Sequence, residues 1–245
     1  MRKVQSLLIL AVFLLIFGGC HSKREPDSAL QSREVVSAGA MAAEESAAEA
    51  DDRADKADTA NDGRPVIVCF GDSLTAGYGA PSDQSYPDYL QADLDRLGYH
   101  YRVENEGVSG NTTKDGVERL PEVLALHPAI AVVEFGGNDG LRGLPISESR
   151  MNLDEIVKRL KAAGAQVVIT GITLPPNYGP DYVRQFDDSY VVLAKKYRTP
   201  MLPFLLKNVY GVPGMMQQDN IHATGKGNKV VAKNVLKLIH PLLKK

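Results

Sequence analysis

The chain has 245 residues, with 28 Lys+Arg against 30 Asp+Glu, 44% apolar residues, five His, two Cys and no Trp. A formal charge of -2 supplies no basic field, which argues against nucleic acid as the main partner. Two cysteines are too few for a disulfide scaffold, and no paired Cys/His spacing suits structural zinc.

In chain order the sequence falls into three unlike segments. Arg2 and Lys3 precede an unbroken apolar run, Leu7 to Phe17, closed by Gly18-Gly19-Cys20. The run is too short to span a bilayer as a lasting helix and has the layout of an export signal. Its ending resembles a bacterial lipoprotein signal, which implies that Cys20 becomes the lipidated first residue of the mature chain. Phe17 is a departure, since Leu is usual there, and ordinary cleavage nearby is the alternative. Several acyl chains on one cysteine hold a protein at a membrane far better than a single chain.

Residues 21–64 have no aromatic residue and no Ile, but eleven Ala, eleven acids and six bases. Such a stretch cannot bury enough apolar surface to offset its ordering entropy, so it reads as a disordered tether. An Ala-rich helix around Ala38–Ala50 is the rival reading, and it too would be solvated. The expected organisation is an export signal over 1–20, the tether over 21–64, and one folded, nearly neutral domain over 65–245.

That domain alternates two patterns. Short apolar or β-branched runs at Pro65–Phe70, Tyr101–Asn105, Ala129–Phe135, Gln166–Thr170 and Pro200–Pro203 predict strands. Helical spacing covers about Tyr86–Leu97, Thr112–Leu126, Ser147–Ala163, Asp181–Tyr197 and Gly225–Leu243. Strands alternating with helices imply parallel pairing with helices on both faces, an α/β architecture. Pro121 predicts that the second helix kinks or splits.

In open parallel sheets, ligands gather beyond the carboxyl ends of the strands. The unusual polar residues of this chain fall there: Ser73 after the first strand, Ser109-Gly110-Asn111 after the second, and Gly136 to Gly140 after the third. Leu174 to Gly179 follow the fourth, and Asp219-Asn220-Ile221-His222 precede the last helix. A nucleophilic serine needs a base, and the base an orienting carboxylate. Asp219 and His222 are three apart, so one turn places both on one face. Asp219 can then accept from one ring nitrogen while the other faces Ser73. His21, His100, His127 and His240 are weaker candidates, lying in the tether, at a strand start, before a Pro and within the last helix. The backbone N–H groups of Ser73 and Gly110 and the Asn138 amide are candidate donors for an oxyanion. Turn chemistry alone is the alternative account of these Gly and Asn positions. G-x-S-x-G, phosphate-loop and H-E-x-x-H motifs are missing from the sequence. Cys69, inside the first strand, reads as a small buried hydrophobe.

Gly71-Asp72-Ser73-Leu74, Gly107 to Thr112, Gly136-Gly137-Asn138-Asp139 and Asp219-x-x-His222 occur in this order at successive strand ends. With them the chain resembles the GDSL, or SGNH, hydrolase family over the whole of 65–245. It is most similar to the bacterial thioesterase I/lysophospholipase/arylesterase branch. The resemblance implies a flavodoxin-like three-layer α/β/α fold with a five-stranded parallel sheet. It further implies Ser73 as nucleophile, His222 as base and Asp219 as its orienter, with an oxyanion hole from Ser73, Gly110 and Asn138. Leu174, Pro175 and Tyr178 fall in the family's substrate-lining stretch. The implied activity is hydrolysis of small acyl or aryl carboxylic esters or thioesters through an acyl-enzyme, with no metal or other cofactor. A polysaccharide deacetylase and a catalytically silent tethered binding module remain as alternatives. Asn220 and Ala223 depart from the family's usual Gly and Pro, which puts the rigidity of the histidine loop in question. The expected location is the cell envelope, periplasm or outer membrane, with the anchor at Cys20.

Overall fold

A computed structural model describes residues 62–245. The expected export signal, Cys20 and all but the last three residues of the expected tether lie outside the described residues.

Five parallel strands form one sheet in the order β2-β1-β3-β4-β5. They are β1 (Val66–Gly71), β2 (Arg102–Gly107), β3 (Ile130–Glu134), β4 (Gln166–Thr170) and the very short β5 (Met201–Leu202). Every residue of β1 and β3 is buried, because both faces of these central strands are covered by helices, which explains their near-continuous apolar sequence. At the edge, β2 carries Arg102, Glu104 and Glu106, charges that discourage pairing with another strand.

Helices α1 (Ser73–Ala76) and α2 (Tyr86–Arg96) follow β1, and α3 (Thr113–Ala125) follows β2. Helices α4 (Gly137–Leu141) and α5 (Ile146–Ala162) follow β3, α6 (Pro180–Tyr197) follows β4, and α7 (Gly225–Ile239) follows β5. Capping boxes at Ser85/Asp88 and Thr112/Asp115 start α2 and α3 by satisfying backbone donors that the helix leaves free. The Thr224 side chain does the same for α7 through the Gly227 N–H.

Of the two outcomes expected at Pro121, a split does not occur: helix α3 runs through it as one element. Its anchors Leu120 and Val123 are fully buried on either side of the proline, so core packing outweighs the single lost backbone bond. The last helix ends at Ile239 rather than Leu243, where Pro241 falls in a 3-10 turn over His240–Leu242.

From β1 the chain steps to β2 on one side and later returns to β3 on the other. The loops leaving β1 and β3 therefore diverge, and the crevice between them is where this topology places a ligand.

Candidate active site

The turn after β1 is built on Asp72. Its Oδ1 accepts the Leu74 N–H at 3.0 Å and caps α1, so that Ser73 is the first helical residue, at the carboxyl end of the sheet. Gly71 is required by a close approach. A Cβ there would sit 2.5 Å from Oε2 of Glu134 and 2.6 Å from its carbonyl oxygen.

The imidazole arrives from the loop before α7. Oγ of Ser73 lies 2.8 Å from Nε2 of His222, and Nδ1 of His222 lies 2.6 Å from Oδ2 of Asp219. With Nδ1–H donating to the carboxylate, Nε2 is left as the acceptor of the serine proton. Asp219 Oδ1 accepts the N–H groups of Ile221 and His222 at 2.9 and 3.0 Å. Burial pushes the Asp219 carboxyl up, but the hydrogen bonds from the His222 ring and the two N–H groups outweigh it and hold it below the usual carboxylate range. Asp219 is thus anionic at neutral pH and favours a positive charge on the neighbouring imidazole.

Asn220 adopts a left-handed φ of 56°, which Asn tolerates better than most residues, so the turn forms without the family's glycine. Nor does the missing proline leave the loop loose. Ala223 is buried and bridges Met216, while the Gln217 N–H donates to the His222 carbonyl at 2.8 Å. The Gln217 side chain donates to the carbonyls of Ala223 and Tyr78 at 2.9 and 2.7 Å. The Tyr78 ring packs on the imidazole with centroids 4.8 Å apart.

Gly110 has φ 83°, a conformation natural to glycine, and its carbonyl accepts Nη2 of Arg142 at 3.0 Å. The Asn138 amide donates to the Asn111 carbonyl at 2.9 Å and, with a longer bond of 3.3 Å, to Oδ2 of Asp72. Arg119 fixes the second block from below. Its Nε donates to Oδ1 of Asn111 at 2.7 Å and its Nη2 to the Glu106 carbonyl at 3.1 Å, with the guanidinium 5.0 Å from the Phe70 ring centroid.

Ser73 and His222 open onto a cavity of about 320 Å³ whose walls include Leu141, Ile172, Leu174, Phe204, Leu206 and Tyr210. Leu174 and Pro175 line this cavity. Tyr178 is not among the lining residues. Its hydroxyl instead donates to the Leu141 carbonyl at 2.9 Å and braces that wall from behind. Phe204, Leu206, Tyr210 and Tyr78 were not readable as site residues, because nothing in an isolated apolar side chain says which loop it will face. Among the described residues, no group of three or more His, Cys, Asp or Glu is placed to hold a metal ion.

A parallel sheet with a serine, a histidine and a carboxylate in line at its carboxyl edge, opening on an apolar cavity, is the arrangement of a serine hydrolase of ester bonds. The comparisons with known proteins agree. The family model for the GDSL-like lipase/acylhydrolase family matches residues 69–230. Esterase TesA of Pseudomonas aeruginosa is 42% identical over 179 residues, 73% of this chain and 89% of that protein. Thioesterase 1/protease 1/lysophospholipase L1 of Escherichia coli K12 is 37% identical over 179 residues, 73% of this chain and 85% of that one. The crystal structure of TesA superposes with a TM-score of 0.70 at 41% identity, covering 73% of this chain and 99% of that structure. The chain belongs to the GDSL-like lipase/acylhydrolase family. It is a hydrolase of ester or thioester bonds.

Proposed function

We propose that Ser73 attacks the carbonyl carbon of an acyl or aryl ester, or of a thioester, and carries the acyl group as a covalent intermediate. His222 takes the serine proton at Nε2 as the new C–O bond forms and delivers it to the departing alcohol or thiol. A water then attacks the acyl-enzyme, His222 takes its proton, and Ser73 regains its own as the acid leaves. Asp219 keeps the imidazole in the tautomer this sequence needs. The negative oxygen is met by the N–H groups of Ser73 and Gly110 and by the Asn138 amide, which can release its longer bond to Asp72 for this purpose.

The observation that carries this reading is the line Asp219–His222–Ser73, with both contacts at hydrogen-bond distance at the mouth of an apolar cavity. An apolar wall suits the acyl part of an ester and favours acyl or aryl substrates over an acetylated sugar. The test is Ser73→Ala against p-nitrophenyl butyrate. The variant should remain folded, lose turnover and fail to react with a fluorophosphonate probe that labels the parent. Full activity in that variant would overturn the assignment.

We also propose export and anchoring at Cys20, supported by the charged start, the apolar run Leu7–Phe17 and the Gly18-Gly19-Cys20 ending. A membrane-bound parent beside a soluble Cys20→Ala variant supports the anchor, and equal solubility of the two counts against it.

A further inference from the structure

Strand β3 is apolar until its last residue. Ile130 to Val133 fill the core, and Glu134 follows with zero exposure. Its carboxyl group lies beneath the nucleophile turn, where Oε2 accepts the Thr75 hydroxyl at 2.8 Å and the Asp72 N–H at 3.3 Å. The missing side chain of Gly71 makes room for it. Asp72, itself 2% exposed, then uses Oδ1 to cap the helix that begins at Ser73 and Oδ2 to hold the Asn138 amide. One connected path runs from Glu134 to both the nucleophile and an oxyanion donor.

At neutral pH the pair carries at most one charge. Adjacent buried carboxylates do not both ionise without a cation. The basic groups reaching this region are engaged elsewhere: Arg119 with Glu106 and backbone carbonyls, His222 with Asp219. The other titratable groups that face the pair are Tyr86 from α2, Tyr190 from α6 and Asp139 from α4. Glu134 is the deeper carboxyl, and its Oε1 is buried with no hydrogen-bond partner. Ionised, that oxygen would be an unsatisfied charge in the core; as a neutral acid it costs far less. Burial first, and the Asp72 charge second, hold Glu134 well above the usual carboxylate range.

A buried carboxyl is a poor way to stabilise a core, since an apolar side chain of equal size usually serves as well or better. We propose that Glu134 is a positioning residue of the active site, holding Asp72 and Thr75 so that Ser73 and Asn138 keep their catalytic places. The inference rests on the roles of Ser73 and Asn138 given above.

The experiment compares Glu134→Met, which keeps length and removes the acceptor, with Glu134→Gln, which keeps a neutral group with an acceptor oxygen. Melting temperature, kcat and KM for p-nitrophenyl butyrate, and the rate of fluorophosphonate labelling are read for each. Glu134→Met should fold, hold KM within about threefold and lose about 100-fold in kcat, the scale of a small displacement of reacting groups, with labelling slowed in parallel. Glu134→Gln should recover kcat to within about fivefold of the parent, because the acceptor for Asp72 and Thr75 is restored. A folded Met variant with undiminished kcat, or a Gln variant as slow as the Met variant, would overturn the proposal. Should Glu134→Met fail to fold, Thr75→Val decides: kcat about tenfold lower at constant KM supports the proposal, and unchanged kcat defeats it. A parent that neither hydrolyses the ester nor takes the label removes the reading of Ser73, and this proposal with it. A working parent beside unaltered variants removes this proposal alone.

Discussion

Asp219 grips His222 at two points, its Oδ2 on the ring nitrogen Nδ1 and its Oδ1 on the residue's own backbone N–H. The carboxylate therefore orients the imidazole and fixes the turn that carries it. The two functions separate on substitution. Asn at 219 retains an oxygen for the backbone N–H groups but presents an uncharged amide to the ring and favours the wrong tautomer. Asp219→Asn should keep the fold and lose about 10³–10⁴-fold in kcat, as in serine–histidine–carboxylate sites generally. A loss below tenfold on p-nitrophenyl butyrate would show that the ring is oriented without the carboxylate.

The Asn138 amide is held ready by two acceptors of unequal quality, Asn111 at 2.9 Å and Asp72 at 3.3 Å. An amide that donates to the developing oxyanion acts in the transition state rather than in substrate binding. Asn138→Ala should lower kcat by about 10²–10³-fold and leave KM nearly unchanged. If KM rises while kcat holds, the residue binds ground-state substrate and is no oxyanion donor.

What was legible in the sequence was the position of chemistry at strand ends. Ser73, Gly110, Asn138 and the Asp219–His222 pair each follow a recognisable strand or precede a recognisable helix, and the parallel sheet brings those ends together. Hidden were the supports. Asp72 read only as part of a tetrapeptide, and α1 and α4 are too short to show a helical period. Glu134 did leave a signal, an acid at the end of the otherwise apolar run Ala129–Phe135, a place where an unpaired charge is not tolerated. Whether Pro121 would split its helix was not legible either, because local propensity says nothing of how firmly Leu120 and Val123 are packed.

Asp72 makes the stability of the domain depend on pH with a definite sign. Burial pushes its carboxyl from 3.8 up to about 6, against the Leu74 N–H bond that pulls it down. Between those values the native protein keeps a proton on Asp72 that the unfolded chain has released. Stability therefore falls as pH rises through this window. Asp219, held low, contributes with the opposite sign, but it does so equally in a parent and an Asp72→Asn variant and cancels in their difference. Glu134, held high in part by the Asp72 charge, is relieved of it in the variant, and any change this brings has the same sign as the loss of Asp72 itself. The melting temperature of Asp72→Asn relative to the parent should climb between pH 4 and 7. A constant gap across that range would mean that Asp72 titrates alike in the folded and unfolded chains.

On the reading that the cavity receives the acyl chain, its wall at Leu174 limits the room available, and that wall can be moved both ways. Gly140 lies directly behind it, where an added Cβ would come within 2.5 Å of Cδ2 of Leu174. That atom is the end of a flexible side chain, so Gly140→Ala should displace it toward the substrate and shift preference to shorter p-nitrophenyl esters. Leu174→Ala should do the reverse, raising kcat/KM for longer acyl chains relative to acetate. It also removes a side chain that is 4% exposed, at a cost of about 2–5 kcal/mol, which a lower melting temperature would register. Opposite shifts in chain-length preference from the two variants would tie specificity to this wall. If both variants keep the parental profile, the acyl group leaves Ser73 in another direction, and the apolar cavity receives the alcohol or thiol instead.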